Sequence, residues 1–338
     1  MTAILMLNWN GASDTLECID SLRRVESDYF CVVADNGSAD DSVARIEKYF
    51  QDENLAHRIV NEGDTLTEPP ANHEFILYTL SENIGFARGN NAAIRLIASA
   101  KPDHYLLLNN DTIVEPDFLQ QLESFAAEHP DYLALTPLIC YNSDRNLVWN
   151  AGGKQKWGLR KYHYAKQPLH HIKETGHIPV TFLTGCALYA DASLLQQDGT
   201  LLTERFFFGE EDFEFCLRMN QQGKKMACVL TSKIYHKVNS SVAHVEPLGK
   251  TYIYYLNRFI DMRQHLSPLA YFWWKTLYPL YIYLLLRKLS YTHTVTTRFI
   301  AKVKNESAWR NEVPQALFLE VIHDFSLDTN RLSTQQPI

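Results

Sequence analysis

Four apolar stretches in the first 111 residues each end in a cluster of polar residues whose types suit a charged ligand. Asn, Asp and Gly also form turns and helix caps, and this explains any single cluster without a ligand. Four such clusters favour a binding role instead. They are Asn8-Trp9-Asn10-Gly11, Asp35-Asn36-Gly37-Ser38, Glu82-Asn83-Ile84-Gly85 and Asn109-Asn110-Asp111.

The ligand that these clusters suit is a nucleotide diphosphate. A carboxylate such as Asp35 can accept a hydrogen bond from a pyrimidine imide, and the Asn and Gly positions let backbone amides approach phosphate. The run "NIGFARGNNAAI" places Arg88 at a predicted helix start, where its charge and the free N–H groups favour an anion. The common dinucleotide and P-loop glycine motifs do not occur in the sequence. The "GGK" at 152–154 predicts a hairpin turn.

Short β-rich runs alternate with helical patterns through the first 130 residues, and this alternation is typical of a parallel sheet covered by helices. Ligands bind such a sheet beyond the carboxyl ends of its strands, so the four clusters are expected at one edge. Strands are predicted near 3–7, 30–34, 75–80 and 105–108, helices at 15–24, 40–50, 87–100 and after Pro116, and a surface loop at 61–74.

The character of the sequence changes after residue 130 and again near residue 257. Hairpin-like pieces, "LVWNAGGKQKWG" and "VTFLTGCALYADASLL", predict a mixed lobe that is built onto the sheet. The predicted organisation is a nucleotide-binding half at 1–130, a second half at 131–257, a helical, aromatic and basic region at 258–325 and a flexible tail at 326–338.

The charge is unevenly distributed along the 338 residues. The net charge of -7 argues against nucleic-acid binding, yet residues 258–304 contain eight Lys and Arg against Asp261 alone. The segment 269–288 is apolar over nearly a membrane span, but Lys275 and Pro279 interrupt it and its Trp and Tyr suit a headgroup region. It predicts an interfacial segment on anionic lipid, or alternatively a buried helix pair or an oligomer contact. The cations that are predicted to contact anionic lipid headgroups are Arg287, Lys288, Arg298, Lys302 and Lys304.

Six scattered cysteines without metal-type spacing predict buried, reduced thiols in a cytosolic protein. The N-terminal "MTAILMLNWNG" has no basic leader or cleavage site, so it predicts a strand. These features predict a cytoplasmic location, with peripheral contact to the inner face of the cytoplasmic membrane if the interfacial segment acts as described.

Six short motifs carry a resemblance to a known family. They are "LNWNG", "VVADNGSADDS", "ENIGFARGNNAAI", "YLLLNNDTIVEPDFL", "TGCALY" and "FFFGEEDFEFCLR". In this order they resemble the family 2 glycosyltransferases of the GT-A fold, and most of all bacterial O-antigen and polysaccharide enzymes described as rhamnosyltransferases. The resemblance covers about residues 1–245 and implies an α/β fold, with a mostly parallel central sheet flanked by helices. It also implies a nucleotide-sugar donor, linked to dTDP or UDP, and a saccharide or polyprenyl-linked acceptor.

The resemblance assigns site residues. The donor side is expected to include Leu7, Asn8, Trp9, Asp35, Asn36, Asn83, Gly85, Arg88, Asn91, Asn109 and Asn110. A divalent metal, Mg²⁺ or Mn²⁺, is expected at Asp111, with His236 of "SKIYHKVNSS" as the second ligand. The family's fuller pattern opens this segment with an aspartate, and Asn109 stands there instead.

A general base is predicted among Glu210, Glu211 and Asp212 of "GEEDFEFCLR". Acids at a helix start also interact favourably with the helix dipole, and this keeps them ionised and able to accept a proton. The resemblance makes Asp212 the base and Glu211 a supporting group, which implies inversion at the anomeric carbon. Thr184, Gly185, Trp149 and Trp157 are predicted on the acceptor side, although these Trp residues, like Tyr162, fit a core or hairpin equally well.

Two other functions are compatible with parts of the sequence. Asn109 is compatible with a non-catalytic subunit that only binds nucleotide sugars. The acidic triplet is compatible with a glycoside hydrolase that uses a carboxylate pair, although a hydrolase leaves the nucleotide-type clusters unexplained. A homo-oligomer is a further expectation.

Overall fold

A computed structural model describes residues 1–238, 247–323, 325 and 327. These residues divide into two compact units, one formed by 1–203 and 211–238 and the other by 204–210 and 247–323. The predicted flexible tail at 326–338 lies outside the described residues, except for residue 327. The predicted boundaries at residues 130 and 257, between the nucleotide-binding half, the second half and the helical region, stay predictions.

The first unit contains the strands and the helices α1 to α5. Its strands are β1 (Thr2–Asn8), β2 (Tyr29–Asn36), β3 (His57–Asn61), β4 (Phe75–Leu80), β5 (His104–Leu108), β6 (Thr112–Val114), β7 (Tyr132–Tyr141), β8 (Val148–Asn150), β9 (Gly153–Lys156), β10 (Leu159–Tyr162), β11 (His177–Val180), β12 (Ala187–Asp191) and β13 (Lys225–His236). Its helices are α1 (Ala12–Leu22), α2 (Ser42–Asp52), α3 (Phe86–Leu96), α4 (Phe118–Glu128) and α5 (Glu211–Gln221).

The main sheet has the order β11-β13-β7-β12-β5-β1-β2-β4-β3, with β6 beside β13 and β8 beside β7. Strands β5, β1, β2 and β4 are neighbours and run parallel. The register places Asn8 opposite Asp35, and Asp35 opposite Thr79. The four strands with polar ends therefore finish at one edge, as their sequence pattern predicts.

Helices cover both faces of this sheet because side chains alternate along each strand. Ile4 and Met6 belong to the buried core that also contains Ile19 of α1. Leu7 points to the other face and meets α3, where a Cβ added at Gly89 would lie 2.7 Å from Leu7 Cδ2. This glycine lets α3 pack closely on β1, and the close packing places the first turn of α3 beside the strand ends.

Several predicted local pairings in the middle of the chain are wrong. Strands β11 and β12 do not form a hairpin, because β11 pairs with β13 while β12 lies between β5 and β7. The predicted turn at 152–154 is also wrong, since Gly153 begins β9 and the chain turns at Trp157 and Gly158 between β9 and β10. Strand β3 lies just ahead of the predicted surface loop and has no counterpart in the sequence-based prediction.

The second unit contains α6 (Pro247–His265), α7 (Pro268–Lys288), α8 (His293–Ser307) and α9 (Gln315–His323). Arg258 of α6 donates two hydrogen bonds, of 2.7 and 2.8 Å, to the fully buried carboxylate of Glu210, and a third to the Tyr278 hydroxyl. Lys302 is buried and pairs with Glu306, so it is not one of the lipid-facing cations. Within the described part of the chain, no helix has both the length and the apolarity to cross a bilayer.

The six cysteines are buried, and none of them forms a disulfide within the described ranges. Burial raises the pKa of the Cys18 thiol to about 12 and that of Cys140 to about 11. The prediction of buried, reduced thiols is therefore confirmed for this structure.

Candidate active site

A chain of hydrogen bonds links three of the four polar clusters at the sheet edge. The Asn110 amide donates to the Thr15 hydroxyl at 2.9 Å, and that hydroxyl donates to the Asn8 side-chain oxygen at 2.8 Å. Asn8 Nδ2 then donates to Asp35 Oδ2 at 2.6 Å. Thr15 comes from α1 and has no ligand-like motif of its own, so the sequence pattern did not single it out. The chain fixes these side chains relative to one another before any ligand binds.

Asp35 is almost completely buried, and both of its carboxylate oxygens are occupied. Oδ1 accepts a hydrogen bond from the Ser38 backbone N–H at 2.9 Å, while Oδ2 accepts from Asn8 and from the Ser38 hydroxyl. A carboxylate oxygen can accept two hydrogen bonds, so Oδ1 retains capacity for one more. Ser38 is therefore a further member of this site, although the sequence pattern gave it no specific role.

The third cluster is joined to the second by Asn36. Its amide donates to the Asn83 side chain at 3.0 Å and to the Gly85 carbonyl oxygen at 3.3 Å. Gly37 has φ +69°, and a Cβ there would lie 2.3 Å from the Glu82 backbone. Only glycine fits this close approach of the two loops.

Two predicted donor-site residues, Arg88 and Asn91, lie near the start of α3 in different surroundings. Arg88 is exposed in the first turn. Asn91 is fully buried, and its side-chain oxygen accepts hydrogen bonds from the N–H groups of Leu201 and Leu202 at 3.0 and 3.2 Å. Its Nδ2 donates to the Leu202 carbonyl oxygen at 2.8 Å. Asn91 thus holds the 201–202 loop, and its buried side chain serves this loop rather than the predicted donor site.

Asp111 and His236 meet at the end of the sheet, as the predicted metal pair requires. Asp111 Oδ2 lies 3.1 Å from His236 Nε2, and the backbone of β13 brings His236 opposite Thr112 of β6. The Trp149 ring meets the His236 ring edge-on at 4.4 Å. Trp149, predicted as an acceptor or core residue, also packs against the main core and fixes the imidazole orientation.

The polar atoms of this pair fit a cation. Asp111 Oδ1 is buried without a hydrogen-bond partner in the described structure, which is costly unless a further group satisfies it. His236 Nδ1 is also buried, and the Cys186 side chain interacts with this imidazole. Burial lowers the pKa of His236, but Cys186 and the Asp111 carboxylate raise it more, to about 10. The surroundings of His236 thus favour a positive charge at this point, and a bound cation would supply such a charge. No group of three His, Cys, Asp or Glu side chains is placed to hold a metal within the described ranges.

Asp212 lies in the first turn of α5, and its carboxylate has two partners in this unit. The Gly185 backbone N–H donates to Oδ2 at 3.3 Å, and Arg160 Nη1 lies 3.5 Å from Oδ1. The neighbouring Cys186 carbonyl oxygen accepts from the Asn109 N–H at 2.8 Å. The Thr184–Gly185 loop therefore connects the predicted base to the end of β5, where the metal pair begins.

The three acids of the predicted base triplet differ in their surroundings. Glu210 has φ +71° and its carboxylate is paired with Arg258 in the second unit, so it serves the fold. Glu211 and Asp212 begin α5, and Asp212 retains a partly exposed side chain. Arg160 of β10 was not anticipated, because the chain brings it to Asp212 only through long-range folding.

The remaining predicted aromatic residues are exposed. Trp9 is 45% exposed after β1, and Trp157 is 59% exposed at the tip of the β9–β10 hairpin. Tyr162 packs against Phe182 with ring centroids 5.6 Å apart. The exposed indole rings of Trp9 and Trp157 could contact a sugar, whereas the Tyr162 ring packs against Phe182.

Comparison with known protein families assigns the chain to a family. The family model described as glycosyl transferase family 2 matches residues 3–191, which is more than half of the chain. The chain belongs to glycosyl transferase family 2. A second model, described as glycosyl transferase family group 2, matches residues 104–303 of this family 2 member. No curated protein sequence matches the chain.

Three solved structures illustrate the fold that this chain shares with known proteins. GalNAc-T7 with UDP, GalNAc and Mn²⁺ has a TM-score of 0.56 and 13% identity, covering 78% of this chain and 47% of its own. The mannosyltransferase PcManGT from Pyrobaculum calidifontis, in complex with GDP-Man and Mn²⁺, has a TM-score of 0.54 and 13% identity, covering 94% and 78%. TarS from S. aureus has a TM-score of 0.51 and 15% identity, covering 87% and 44%.

This family 2 chain therefore spans about half the length of two of these neighbours. At these identities the likeness concerns the fold, and it confirms the predicted GT-A architecture. The family match, rather than these structures, assigns the chain to the glycosyltransferase family.

Proposed function

We propose that the chain transfers a glycosyl group from a nucleotide diphosphate donor to a saccharide hydroxyl, with inversion at the anomeric carbon. The observation that carries this proposal is the path from Asp212 through the Gly185 N–H and the Cys186 carbonyl oxygen to the Asn109 N–H. These bonds connect a carboxylate to the strand ends that suit a diphosphate, and this supports a role for Asp212 in the transfer. An ionised carboxylate there can take the proton of the attacking hydroxyl.

The donor side of the proposal consists of the connected strand-end residues. Asp35 Oδ1 has capacity for one more hydrogen bond, as a pyrimidine imide would require. Arg88 adds a positive charge in the first turn of α3, at the positive end of the helix dipole. Two structural neighbours were solved with UDP or GDP-Man, which supports a nucleotide-sugar donor here. We propose a UDP- or dTDP-linked sugar, with rhamnose as the leading candidate.

Asp111 and His236 would hold a divalent cation, Mg²⁺ or Mn²⁺, and both neighbours with nucleotide ligands contain Mn²⁺. Such a cation neutralises the charge that develops on a leaving diphosphate. Two protein ligands are few, so the oxygens of the diphosphate would complete the coordination. Trp149 keeps the imidazole in place by packing on its edge.

In the proposed reaction, the acceptor oxygen attacks the anomeric carbon from the side opposite the departing diphosphate. Asp212 takes the hydroxyl proton, while the bond from the anomeric carbon to the diphosphate oxygen breaks. The Gly185 N–H and Arg160 orient the carboxylate for this step. One displacement of this kind inverts the configuration.

A donor panel tests this proposal. We expect one UDP- or dTDP-sugar to raise the melting temperature in the presence of Mn²⁺, because ligands that bind only the folded state stabilise it. A donor present at 100 times its dissociation constant should add about 2.7 kcal/mol. The measurement is thermal shift across UDP-, dTDP- and GDP-sugars, followed by nucleotide release with saccharide acceptors. Nucleotide-independent cleavage of a glycan would point to a hydrolase instead, and binding without any release would point to a non-catalytic subunit.

We further propose that α7 rests on an anionic membrane surface. Its buried side chains recur every four residues, at Trp274, Tyr278, Ile282 and Leu286. The opposite side exposes a second apolar stripe, in which Leu277 is 54% and Leu280 is 61% exposed. Arg287 and Lys288 are exposed at the helix end and complement anionic headgroups. A lipid-linked saccharide is then the leading acceptor, in bacterial surface polysaccharide synthesis.

Replacing Leu277 and Leu280 with Gln should weaken binding to phosphatidylglycerol vesicles at least about tenfold, because apolar area would no longer enter the interface. The measurement is vesicle co-sedimentation, with pure phosphatidylcholine as the uncharged surface. Ile59→Gln, which removes an exposed apolar side chain on β3, is the matched control. If the double variant instead dissociates an oligomer and binds vesicles normally, the stripe is a subunit contact.

A further inference from the structure

The hairpin formed by β9 and β10, together with the segment that follows it, carries a high concentration of positive charge. Residues 154–173 contain six Lys and Arg and no Asp or Glu, although the whole chain has a net charge of -7. The lysines at 154, 156, 161, 166 and 173 are exposed. Within the described parts of the chain, none of these five lysines lies in an ion pair with a carboxylate.

The register of the hairpin concentrates this charge on one face. Lys154 lies directly opposite Lys161, and Lys156 lies opposite Leu159, so three lysines share the outer face. Like charges directly opposite each other on a sheet are destabilising. No carboxylate of the described residues pairs with these lysines, so their mutual repulsion is a cost that an anionic ligand would offset.

The tip of the hairpin has a second unfavourable feature. The two turn residues, Trp157 and Gly158, have φ +54° and +75°. Asn or Asp ordinarily precedes Gly in such a turn, because bulky side chains disfavour positive φ. Here the turn holds a Trp that is 59% exposed. An exposed indole at a strained turn suits the apolar face of a sugar ring.

The inner face of the same hairpin reaches the proposed base. Gln155 Nε2 donates to the Phe213 carbonyl oxygen at 3.2 Å, and Arg160 lies 3.5 Å from Asp212. Arg160 also lies over the Phe213 ring, with its guanidinium carbon 5.7 Å from the centroid. The lysines therefore lie on one face of the β9–β10 hairpin, and the proposed base, Asp212, lies beside the other face.

From these features we infer that the acceptor is an anionic saccharide chain, bearing phosphate or carboxylate groups, that binds along the outer face of the β9–β10 hairpin with a sugar ring against Trp157. This inference rests on the proposed glycosyl transfer and names the chemistry of its acceptor. The lysines hold charged groups beyond the reacting sugar, and the inner face keeps the base beside the acceptor end.

The test compares Lys154→Gln/Lys161→Gln with the wild type by fluorescence anisotropy. The probes are labelled oligogalacturonate, phosphorylated maltodextrin and neutral maltodextrin of similar length. We expect wild type to bind at least one charged probe more tightly than the neutral one, with weaker binding at 200 mM than at 50 mM NaCl. The double variant should lose about tenfold in affinity for that probe. Lys101→Gln/Lys224→Gln, which removes the same charge just ahead of β5 and β13, should lose nothing.

Equal binding of charged and neutral probes would overturn the inference, as would an equal loss in the control variant. Phosphatidylglycerol vesicles that bind through Lys154 and Lys161, while neither charged saccharide binds, would also overturn it and assign the hairpin to a membrane. Donor thermal shifts are measured on the same proteins. If no nucleotide sugar shifts the wild type, the proposed transfer itself fails, whereas a normal donor shift without saccharide binding defeats only the inference about the acceptor.

A single substitution tests the electrostatic argument without any ligand. Lys161→Gln should raise the melting temperature by about 1–3 °C, because it removes one of two opposed lysines. It should also weaken binding to the charged probe. A lower melting temperature would mean that the lysines serve the fold, and it would count against a binding role.

Discussion

Asp212→Asn should lower the rate of sugar transfer by about 10²–10⁴-fold, because the amide cannot accept the proton of the acceptor hydroxyl. The substitution keeps the size of the side chain. An amide oxygen can still accept the Gly185 N–H, so the 184–186 loop should stay in place. Donor binding, measured by thermal shift with the nucleotide sugar and Mn²⁺, should therefore be unchanged while turnover is lost.

Asp117→Asn is the matched control for this prediction. Asp117 precedes α4, is exposed, and accepts a hydrogen bond only from the neighbouring Gln121 among the contacts described for it. Its substitution also removes a negative charge at a helix start, so it reports any general effect of charge on the fold. Turnover by Asp212→Asn at the rate of this control would remove Asp212 from the role of base. A simultaneous loss of donor affinity would show that Asp212 acts in binding.

The edge of the sheet was predictable from sequence because its signals are local. Each polar cluster directly follows an apolar run, and parallel strands bring such ends together whatever the connecting segments do. The structure places Asn8 opposite Asp35 in this way. The hydrogen bonds of Thr15 to Asn8 and of Ser38 to Asp35 were not predictable, since a hydroxyl on a helix or in a turn can bond to many different groups.

The environment of the proposed base was not predictable, because it depends on contacts between distant segments. Arg160 and Asp212 meet only after β9 and β10 fold back toward α5. Residue type alone did not distinguish Glu210 from Asp212, since all three acids of the triplet suit a helix start; only the family resemblance favoured Asp212 as the base. The difference arises from the left-handed backbone at Glu210 and the burial of its carboxylate against Arg258.

The hairpins predicted in the middle of the chain are wrong for a related reason. Turn-like residues at 152–154 favour a hairpin there, but the chain turns at Trp157, a residue type that seldom occupies such a position. Strand β12 likewise joins β5 and β7 rather than its neighbour in sequence. Pairing between distant strands leaves no local periodicity from which it could be inferred.

Asp111→Asn should lower turnover by about 10³-fold, since a bound cation contributes several kcal/mol to stabilising a departing diphosphate. Asp111 is the one carboxylate in its strand-end segment, and its Oδ1 has no hydrogen-bond partner in the described structure. The amide keeps the shape but removes the charge that attracts the cation. The Mn²⁺-dependent part of the thermal shift should disappear with the activity, whereas Asp212→Asn should retain it.

A variant that moves the carboxylate from position 111 to position 109 distinguishes the effect of its position from the effect of its charge. In Asn109→Asp/Asp111→Asn the segment has the same net charge, but the carboxylate no longer lies 3.1 Å from His236 Nε2. We expect this variant to stay inactive and to show no Mn²⁺ shift, because a cation needs both side chains at one point. Recovery of activity would mean that local charge alone suffices and that His236 is not a ligand. Full activity of the wild type in excess EDTA would remove the metal from the proposal altogether, leaving Arg88 as the cation that the donor diphosphate would meet.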